Sequence, residues 1–441
     1  IPDSNDLNTL EKIENLEIDT DLLLNEIPDG FNTRQPKRSH GFRIFRDFYT
    51  KRNFLSLLFL KTNLSKGRIG NAIRFLINSY DVSHSTKMSR IIFKGGSKKP
   101  VLTGYQTGTL YVPSLSVEKN VFEGIIRQKL SIVFRSLNSI KENQLVSTGS
   151  AIITKMKAES LDYVFLDPPF GSNIMYSDLN LITESWNSVF TNQKSEAIEN
   201  QTQGKTLGDY RKLMELSFRE AYRILKKGRW LTVEFSNTKA SVWNSIQSAL
   251  TASGFIVANV AALDKQQGSF KAVTTTTAVK QDLVISAYKP SEQLELIFSE
   301  NGDSVEGVWQ FIDSHLNQLP VSKPKGGSLE FVAERDPRIL YDRMVAFYFG
   351  HGVNVPLSSG EFQAALDDKY PDRDGMVFLP EQVVEYDKLA AKMESVGQMV
   401  VFVEDEKSAI GWLRQYLKDK PSTYQGVHPD FTQQLSASWR K

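Results

Sequence analysis

The spacing of hydrophobic and polar residues predicts alternating strands and helices in the middle of the chain. Tyr163-Val164-Phe165-Leu166 is a short apolar run typical of a buried parallel strand. Apolar residues recur at helical spacing over residues 206–225, and Lys226-Lys227-Gly228 predicts that this helix ends with a C-cap glycine. A helix at residues 241–253 and strands at residues 229–235, 255–263 and 282–288 follow. A β-α-β-α-β order that finishes in a hairpin pair is typical of an α/β fold.

The regions on either side of this core predict mostly helices. Before it, helices are expected at residues 54–60, 70–79 and 118–140, and short strands at residues 110–113 and 144–148. After it, Ser358 and Glu361 have the spacing of a capping box. Helices are expected there at residues 306–319, 338–349, 362–369 and 406–417, and strands at residues 376–379 and 399–403. This C-terminal pattern permits a winged-helix-like module, but many other small α+β folds share it.

Length and charge divide the chain into five predicted parts. A chain of 441 residues is too long for one ordinary core, so two or three domains are expected. The parts are an acidic N-terminal linker (1–33), a basic helical segment (34–143), an α/β core (144–290), a helix and linker (291–327) and a C-terminal α+β recognition or partner domain (328–441).

The basic segment stands out within a nearly neutral chain, whose net charge is +2. Residues 34–99 hold sixteen lysines and arginines against two acids, with aromatic residues interleaved. Such a pattern suits a phosphate backbone, although a lysine-rich solvated surface would look similar. The residues that we expect to contact nucleic acid here are Lys51, Arg52, Lys98 and Lys99.

Composition excludes several kinds of chemistry. The chain has no cysteine, which excludes disulfides, cysteine nucleophiles and thiolate metal sites within it. Its five histidines fit no metal-ligand spacing, so we expect no metal. No apolar run is long enough to span a bilayer, and the first thirty residues are too acidic for a secretory signal. We expect a soluble cytoplasmic protein and, because the sequence begins at Ile1, a fragment or a processed chain.

The predicted strand at residues 163–166 leads into Asp167-Pro168-Pro169-Phe170, the segment that we call the corner. Its two prolines prevent both a continuing strand and an immediate helix. A carboxylate, a rigid backbone and an aromatic ring are therefore presented at the carboxyl end of a strand, where open α/β sheets bind their ligands.

This combination suits the methylation of an exocyclic amine. The nitrogen lone pair is delocalised into the base, and two hydrogen-bond acceptors can free it. Asp167 offers a carboxylate, Pro168 offers a carbonyl, and Phe170 can stack on a base that has left the duplex. Attack on a methyl sulfonium then depends on position and electrostatics, without a cysteine nucleophile.

The corner after an apolar strand resembles motif IV of the amino-group DNA methyltransferases. Residues 173–186, 228–243 and 268–284, together with segments around residues 48–53 and 374–421, are similar to a family of large bacterial adenine-specific DNA methylases. Those enzymes occur in restriction-modification and phage-defence systems. The resemblance implies a Rossmann-like methyltransferase sheet, with Asp167, Pro168, Pro169 and Phe170 as catalytic residues.

The resemblance also implies ligands and partners. It implies S-adenosylmethionine as methyl donor, N6 of adenine in double-stranded DNA as acceptor, a companion restriction or helicase subunit, and a location at the nucleoid. Gly149 and Ser150 occupy the place of a Gly-Asp turn that borders the cofactor in related enzymes. Three lysines fall around a loop that faces DNA in those enzymes, namely Lys265, Lys271 and Lys280.

One expected motif does not occur in the sequence. The family holds the methionine end of the donor with a glycine-rich loop after its first strand. The nearest glycine pair here, in Phe349-Gly350-His351-Gly352, follows a predicted helix and is interpreted as its end. We therefore expect the cofactor loop in a preceding stretch or in a separate chain.

Three hypotheses about function stay open at this point. The first is an N6-adenine DNA methyltransferase. The second is methylation of another amine, either N4 of cytosine or a guanine amino group of ribosomal RNA. The third is a non-catalytic DNA-binding subunit of a methylase complex, which keeps the fold without the cofactor loop.

Overall fold

A computed structural model describes residues 3–93, 99–139, 143–236, 239–264, 281–322, 324–325, 328–397 and 421–434, and also residues 409–410, 412–413 and 416–417. The chain divides into two compact units. The first comprises Ile1–Ser150 and Pro169–Leu213, and the second comprises Ala151–Pro168 and Met214–Lys441. The predicted core at residues 144–290 is thus shared between both units. Within the part described, none of the helices has the length and apolarity needed to cross a bilayer.

Helices dominate the first unit. They include α1 (Ser4–Asn15), α2 (Arg34–His40), α3 (Lys51–Thr62), α4 (Arg68–Tyr80), α5 (Val121–Gly124), a π-helical stretch (Ile125–Leu130), α6 (Ser131–Asn138) and α7 (Tyr176–Asn187). Strands β1 (Arg90–Phe93) and β2 (Pro100–Thr103) form an antiparallel pair. The helices predicted at residues 54–60 and 70–79 are confirmed, and the helix predicted at residues 118–140 is found over residues 121–138 with a π-helical stretch inside it. Helix α3 begins at Lys51 because the Thr50 side chain caps it by accepting the Asn53 N–H.

One apolar cluster joins the basic segment to α7. Phe48, Phe54 and Leu57 are buried in it together with Ile182 and Trp186 of α7. The Trp186 ring stacks on Phe54 with 5.5 Å between the ring centroids. The helix that follows the corner is therefore held by the same core as the basic helices.

A chain of polar contacts crosses this core. The Trp186 indole N–H donates to the Tyr49 hydroxyl at 3.0 Å, and that hydroxyl donates to the Asp81 carboxylate at 2.7 Å. Lys61 Nζ lies 2.9 Å from the other Asp81 oxygen. Burial, followed by the charge of Asp81, raises the pKa of Tyr49 far above its usual value. The phenol stays protonated and can act as the donor that a buried carboxylate requires.

The second unit is built on a four-stranded mixed sheet. Its strands are β3 (Leu161–Leu166), β4 (Leu225–Phe235), β5 (Ile256–Asp264) and β6 (Gln281–Tyr288), in the order β3-β4-β6-β5. β3 runs parallel to β4, whereas β6 is antiparallel to both β4 and β5. Helix α8 (Leu207–Ile224) precedes β4, and α9 (Ala240–Ala252) joins β4 to β5. The predicted alternation and its final antiparallel pair are confirmed.

The passage from α8 to β4 differs from the prediction. We expected Lys226-Lys227-Gly228 to end the helix, but α8 leads directly into β4 and Gly228 lies inside that strand. Its φ of 69° is in the left-handed region, which glycine adopts without strain. The Gly228 N–H donates to the carbonyls of Lys289 and Pro290 at 3.0 and 3.2 Å. The pairing of β4 with β3 also changes register between Leu161 and Tyr163. The glycine therefore belongs to an irregularity of the strand.

Helices again prevail after the sheet. Among the described residues they include α10 (Glu292–Asn301), α11 (Val305–Gln318), α12 (Pro337–Gly350), α13 (Ser359–Lys369), α14 (Pro380–Gly397) and α15 (Tyr424–Gln434). Two-residue strands form two antiparallel pairs, β7 (Pro324–Lys325) with β8 (Ser328–Leu329) and β9 (Asp372–Arg373) with β10 (Met376–Val377). The capping box of Ser358 and Glu361 and the helix end at Gly350 are confirmed, as are the helices expected at residues 306–319, 338–349 and 362–369.

These helices share a core with the sheet. Ile256 and Tyr288, from β5 and β6, are buried in one cluster with Trp309, Leu340 and Phe362. The strand expected at residues 399–403 lies outside the described residues, and the helix expected at residues 406–417 lies largely outside them.

Two short strands expected in the first unit do not form. Residues 110–113 contain no strand, although Leu110 and Val112 are buried at 1% and 2% exposure. Their burial comes from packing in the helical core, which a short apolar run does not distinguish from a strand. Residues 144–148 are irregular and exposed, so Gly149 and Ser150 do not follow a strand.

Candidate active site

The corner begins where β3 ends at Leu166, and no helix or strand includes residues 167–170. Asp167 is exposed, while Pro168, Pro169 and Phe170 are partly buried. The division between the two units falls between Pro168 and Pro169. Each half of the corner is therefore positioned by contacts within its own unit.

The first half of the corner takes its position from β3. Residues Tyr163 to Leu166 pair in parallel with Trp230 to Val233 of β4. The Tyr163 hydroxyl donates to Thr232 Oγ1 at 2.7 Å, and the Ser160 N–H donates to the Ile224 carbonyl at 2.8 Å. The Ser160 bond holds the start of β3, and the pairing of Leu166 with Val233 fixes its end and thereby the point at which Asp167 leaves the sheet.

Side-chain contacts also hold the segment that precedes β3. Glu220 accepts from the N–H and the hydroxyl of Thr154 and pairs with Arg223 at 2.7 Å. The Arg223 hydrogen bond, followed by those from Thr154, lowers the pKa of Glu220 to about 2. The carboxylate is therefore charged at neutral pH and anchors the segment before β3 on α8.

The second half of the corner is held by Tyr210 of the first unit. Its hydroxyl donates to the Pro169 carbonyl at 2.7 Å, and the Glu199 N–H donates to the Gly171 carbonyl at 3.2 Å. The Tyr210 side chain is fully buried, and burial raises its pKa well above the usual value. A protonated phenol therefore donates to the Pro169 carbonyl, and the acceptor role of the Pro168 carbonyl stays a prediction.

Just after the corner, α7 carries a buried carboxylate. Asp178 is 4% exposed and accepts the Asn32 N–H at 3.0 Å. A Cβ atom at Gly30 would lie 2.8 Å from its oxygens, so this glycine permits the close approach. Burial raises the pKa of Asp178, and the Asn32 N–H opposes that shift. The carboxylate is bound to the main chain ahead of the basic segment and has a structural role there.

Residues expected to contact DNA in the basic segment already have protein partners. Arg52 binds Glu118 through two contacts, Nε to Oε1 at 3.1 Å and Nη2 to Oε2 at 2.6 Å. Lys51 Nζ donates to the Glu14 carbonyl. Lys99 is exposed. The other expected DNA contacts, Lys98, Lys265, Lys271 and Lys280, lie outside the described residues.

The expected cofactor residues are placed without a supporting strand. Gly149 and Ser150 lie in an exposed irregular stretch, and their assignment stays a prediction. The described residues also hold no group of three or more histidine, aspartate or glutamate side chains that could bind a metal ion.

The sequence could not reveal the residues that hold the corner. Tyr210 is 41 positions from Pro169, and Glu220 is 66 positions from Thr154. Neither pair belongs to a local motif. The one available signal was the helical spacing of α8, which places Tyr210 and Met214 on one buried face.

Comparison with known proteins gives slight likenesses. No protein-family model matches the chain, and no curated protein matches it. Two structures of a protein from Thermus thermophilus, provisionally described as a DNA modification methylase, match 34% of the chain at 13% and 12% identity, with TM-scores of 0.20 and 0.19. The chain spans 56% and 58% of those structures. A SAM-dependent methyltransferase from Methanosarcina mazei is similar over 38% of this chain and 79% of its own length, at 12% identity and a TM-score of 0.20. Likenesses this slight assign the chain to no family.

Proposed function

We propose that this chain methylates an exocyclic amine of a DNA base, N6 of adenine, and that the corner holds the acceptor. The observation that carries the proposal is the placement of Asp167 and Pro168 directly after β3, whose parallel pairing with β4 fixes the point at which the chain leaves the sheet. A carboxylate and a carbonyl at a fixed spacing can accept both hydrogens of an amino group. Preorganised acceptors of this kind act without reorganisation during the reaction.

Each corner residue has a proposed role. Asp167 accepts one amine hydrogen and can receive the proton that the nitrogen loses. Pro168 accepts the second hydrogen through its carbonyl, and Pro169 restricts the backbone between them. Phe170 stacks on the base, which offsets part of the few kcal/mol needed to take a base out of the duplex.

The methyl donor implied by the sequence resemblance is S-adenosylmethionine. Gly149 and Ser150 are exposed and follow no strand, so their position does not provide the backbone cradle that such a donor requires. We therefore confine the proposed chemistry to the acceptor. This same observation favours a second candidate function, a non-catalytic DNA-binding subunit.

Substitution of Asp167 tests the proposed role. Asp167→Ala should lower N6-methyladenine formation by about 100-fold or more, since it removes one of two acceptors. The product is measured by mass spectrometry of digested DNA, and DNA binding is followed by fluorescence anisotropy. Binding should change little, because the exposed Asp167 side chain carries a negative charge that does not attract phosphate.

Asp162→Asn is the matched control. Asp162 is an exposed carboxylate on the same strand and pairs with Lys226 at 2.9 Å, a surface contact of small energy. This variant should keep wild-type methylation. Full methylation by Asp167→Ala would refute the acceptor role. The methylation assay also separates the two candidate functions, because a non-catalytic subunit would bind DNA but form no N6-methyladenine that depends on Asp167.

A further inference from the structure

The helical stretch formed by α5, the π-helical stretch and α6 exposes apolar side chains. Ile126, Leu130 and Phe134 are 62%, 46% and 63% exposed. Their spacing of four residues places them next to one another on one side of the helix. We call these three residues the outer stripe. A row of large exposed apolar side chains on a helix usually marks a contact surface.

The outer stripe lies among basic side chains. Between residues 121 and 138 the chain has three basic residues, Arg127, Lys129 and Arg135, and one acidic residue, Glu123. Glu123 pairs with Arg127 at 2.7 Å, which leaves a surplus of positive charge beside the stripe. A partner of matching chemistry would present apolar residues flanked by carboxylates.

Helix α1 of the same chain has that chemistry. It carries Asp6, Glu11 and Glu14 against one lysine, and Asp3 and Asp6 form a capping box at its start. None of its residues is buried, and Leu7 and Leu10 are 58% and 40% exposed. Among the described residues, its contacts with the rest of the chain are confined to its end, where Ile13 is partly buried and the Glu14 carbonyl accepts from Lys51. A twelve-residue helix with so small a packed face is marginally stable in water. The capping box sets where α1 begins, but it does not replace packing.

Both surfaces remain exposed in a single copy, so α1 does not cover the outer stripe of its own chain. We propose that α1 of a second copy packs on the outer stripe, and that two copies do so reciprocally in a dimer. The lengths agree, since α1 is about 18 Å long and the outer stripe spans about 12 Å. Leu7 and Leu10 pack on the stripe, while the carboxylates of α1 face its basic neighbours. A reciprocal arrangement closes with two-fold symmetry.

Analytical ultracentrifugation of the whole chain tests this proposal. The wild type should form dimers as its concentration rises, and the dimer should weaken with salt. Leu7→Asp combined with Leu10→Asp should raise the dissociation constant by about tenfold or more, as should Phe134→Asp. Leu296→Asp is the matched control, because Leu296 is 59% exposed on α10 of the second unit. All of these side chains are exposed, so the variants should fold, which circular dichroism verifies.

Exchanging the charges of an acidic residue of α1 and a basic residue beside the outer stripe tests whether these two surfaces contact each other. Glu11→Arg and Arg135→Glu should each weaken the dimer, and the two changes combined should restore it. A chain that stays monomeric at all accessible concentrations overturns the proposal. So does a dimer that neither set of variants affects. If Phe134→Asp instead weakens DNA binding and leaves the oligomeric state unchanged, the outer stripe belongs to a nucleic-acid contact and the proposal is wrong.

Discussion

His315 is held as a neutral imidazole inside the second unit. The side chain is fully buried, its Nδ1 atom lies 2.9 Å from the Tyr288 hydroxyl, and its ring stacks on Phe311. Burial lowers its pKa to about 3, and the charges of Arg343 and Arg335 add to the effect. A single residue thereby links the stability of the unit to pH.

The sign of this linkage follows from the two pKa values. Between pH 6.5 and about 3 the unfolded chain binds a proton at His315 and the folded chain does not. The free energy of unfolding should therefore fall as the pH falls through this range, by about 1.4 kcal/mol per pH unit at most. His315→Phe should be less stable at pH 7 but should lose less stability on going to pH 4, as measured by urea unfolding. Tyr288→Phe, which keeps the imidazole, should retain the wild-type pH dependence. If the free energy of unfolding of His315→Phe depends on pH as strongly as that of the wild type, His315 does not cause the pH dependence.

At the scale of secondary-structure elements, Arg335 joins α11 to β10. Its fully buried guanidinium donates to the carbonyls of Leu319, Pro320 and Val377 at 3.0, 2.9 and 2.8 Å. The Phe378 ring lies 4.4 Å from the guanidinium carbon. Carbonyls at the end of a helix carry partial negative charge, which suits a cation. Burial lowers the pKa of Arg335 to about 10, so it remains charged at neutral pH.

Replacing Arg335 should therefore loosen several elements at once. Arg335→Met keeps the length of the side chain but leaves buried carbonyls without donors, so the free energy of unfolding should fall by about 3 kcal/mol or more. The free energy of unfolding of Arg335→Lys should lie between those of Arg335→Met and the wild type, because an ammonium has fewer donors than a guanidinium and no planar fork. The exposed Arg338 provides the control, and Arg338→Met should change stability by no more than about 0.5 kcal/mol. Equal stability of Arg335→Met and the wild type in urea would refute this account.

The secondary-structure elements also show how much of the fold could be predicted from the sequence. Helix spacing and the β3 run are local patterns, and the elements that they predicted around the sheet were found. The burial predicted for β3 was wrong, because β3 is the edge strand of the described sheet and Tyr163 and Phe165 are 52% and 54% exposed. Whether an apolar run becomes a strand depends on a partner strand elsewhere, and Leu110 and Val112 pack in a helical core instead. The corner was visible because its four residues are consecutive. Tyr210, which binds the Pro169 carbonyl, comes from α8, and no local pattern connects it to Pro169.

For the whole molecule, the charge excess of the basic segment is partly neutralised by folding. Lys37 pairs with Asp29 at 2.6 Å, Arg52 with Glu118 at 2.6 Å and Lys61 with Asp81 at 2.9 Å. Fewer cations are thus available to phosphate than the sequence count implies. Exposed basic residues that remain candidates include Lys66, Arg68 and Arg74.

If this surface binds DNA, affinity should fall steeply with salt. Six to ten phosphate contacts would weaken binding by about 10³ to 10⁵ between 50 and 200 mM salt. Arg68→Ala and Arg74→Ala should each reduce the slope of log affinity against log salt by about 0.9 if the residue contacts a phosphate. Arg52→Ala should change it less, because that guanidinium already binds Glu118. If the affinity for DNA does not depend on salt, the basic segment does not bind phosphates and is an ordinary solvated surface.

The stacking of Trp186 on Phe54 also has a spectroscopic consequence. Of the six tryptophans, Trp186 alone falls within residues 1–150 and 169–213, so the indole emission of the first unit comes from one ring. That ring has the Lys61 ammonium 4.5 Å from its centroid and donates its N–H to Tyr49. Its fluorescence is an optical reporter of the core that carries the helix after the corner, and subtracting the spectrum of Trp186→Phe from that of the wild type isolates this signal.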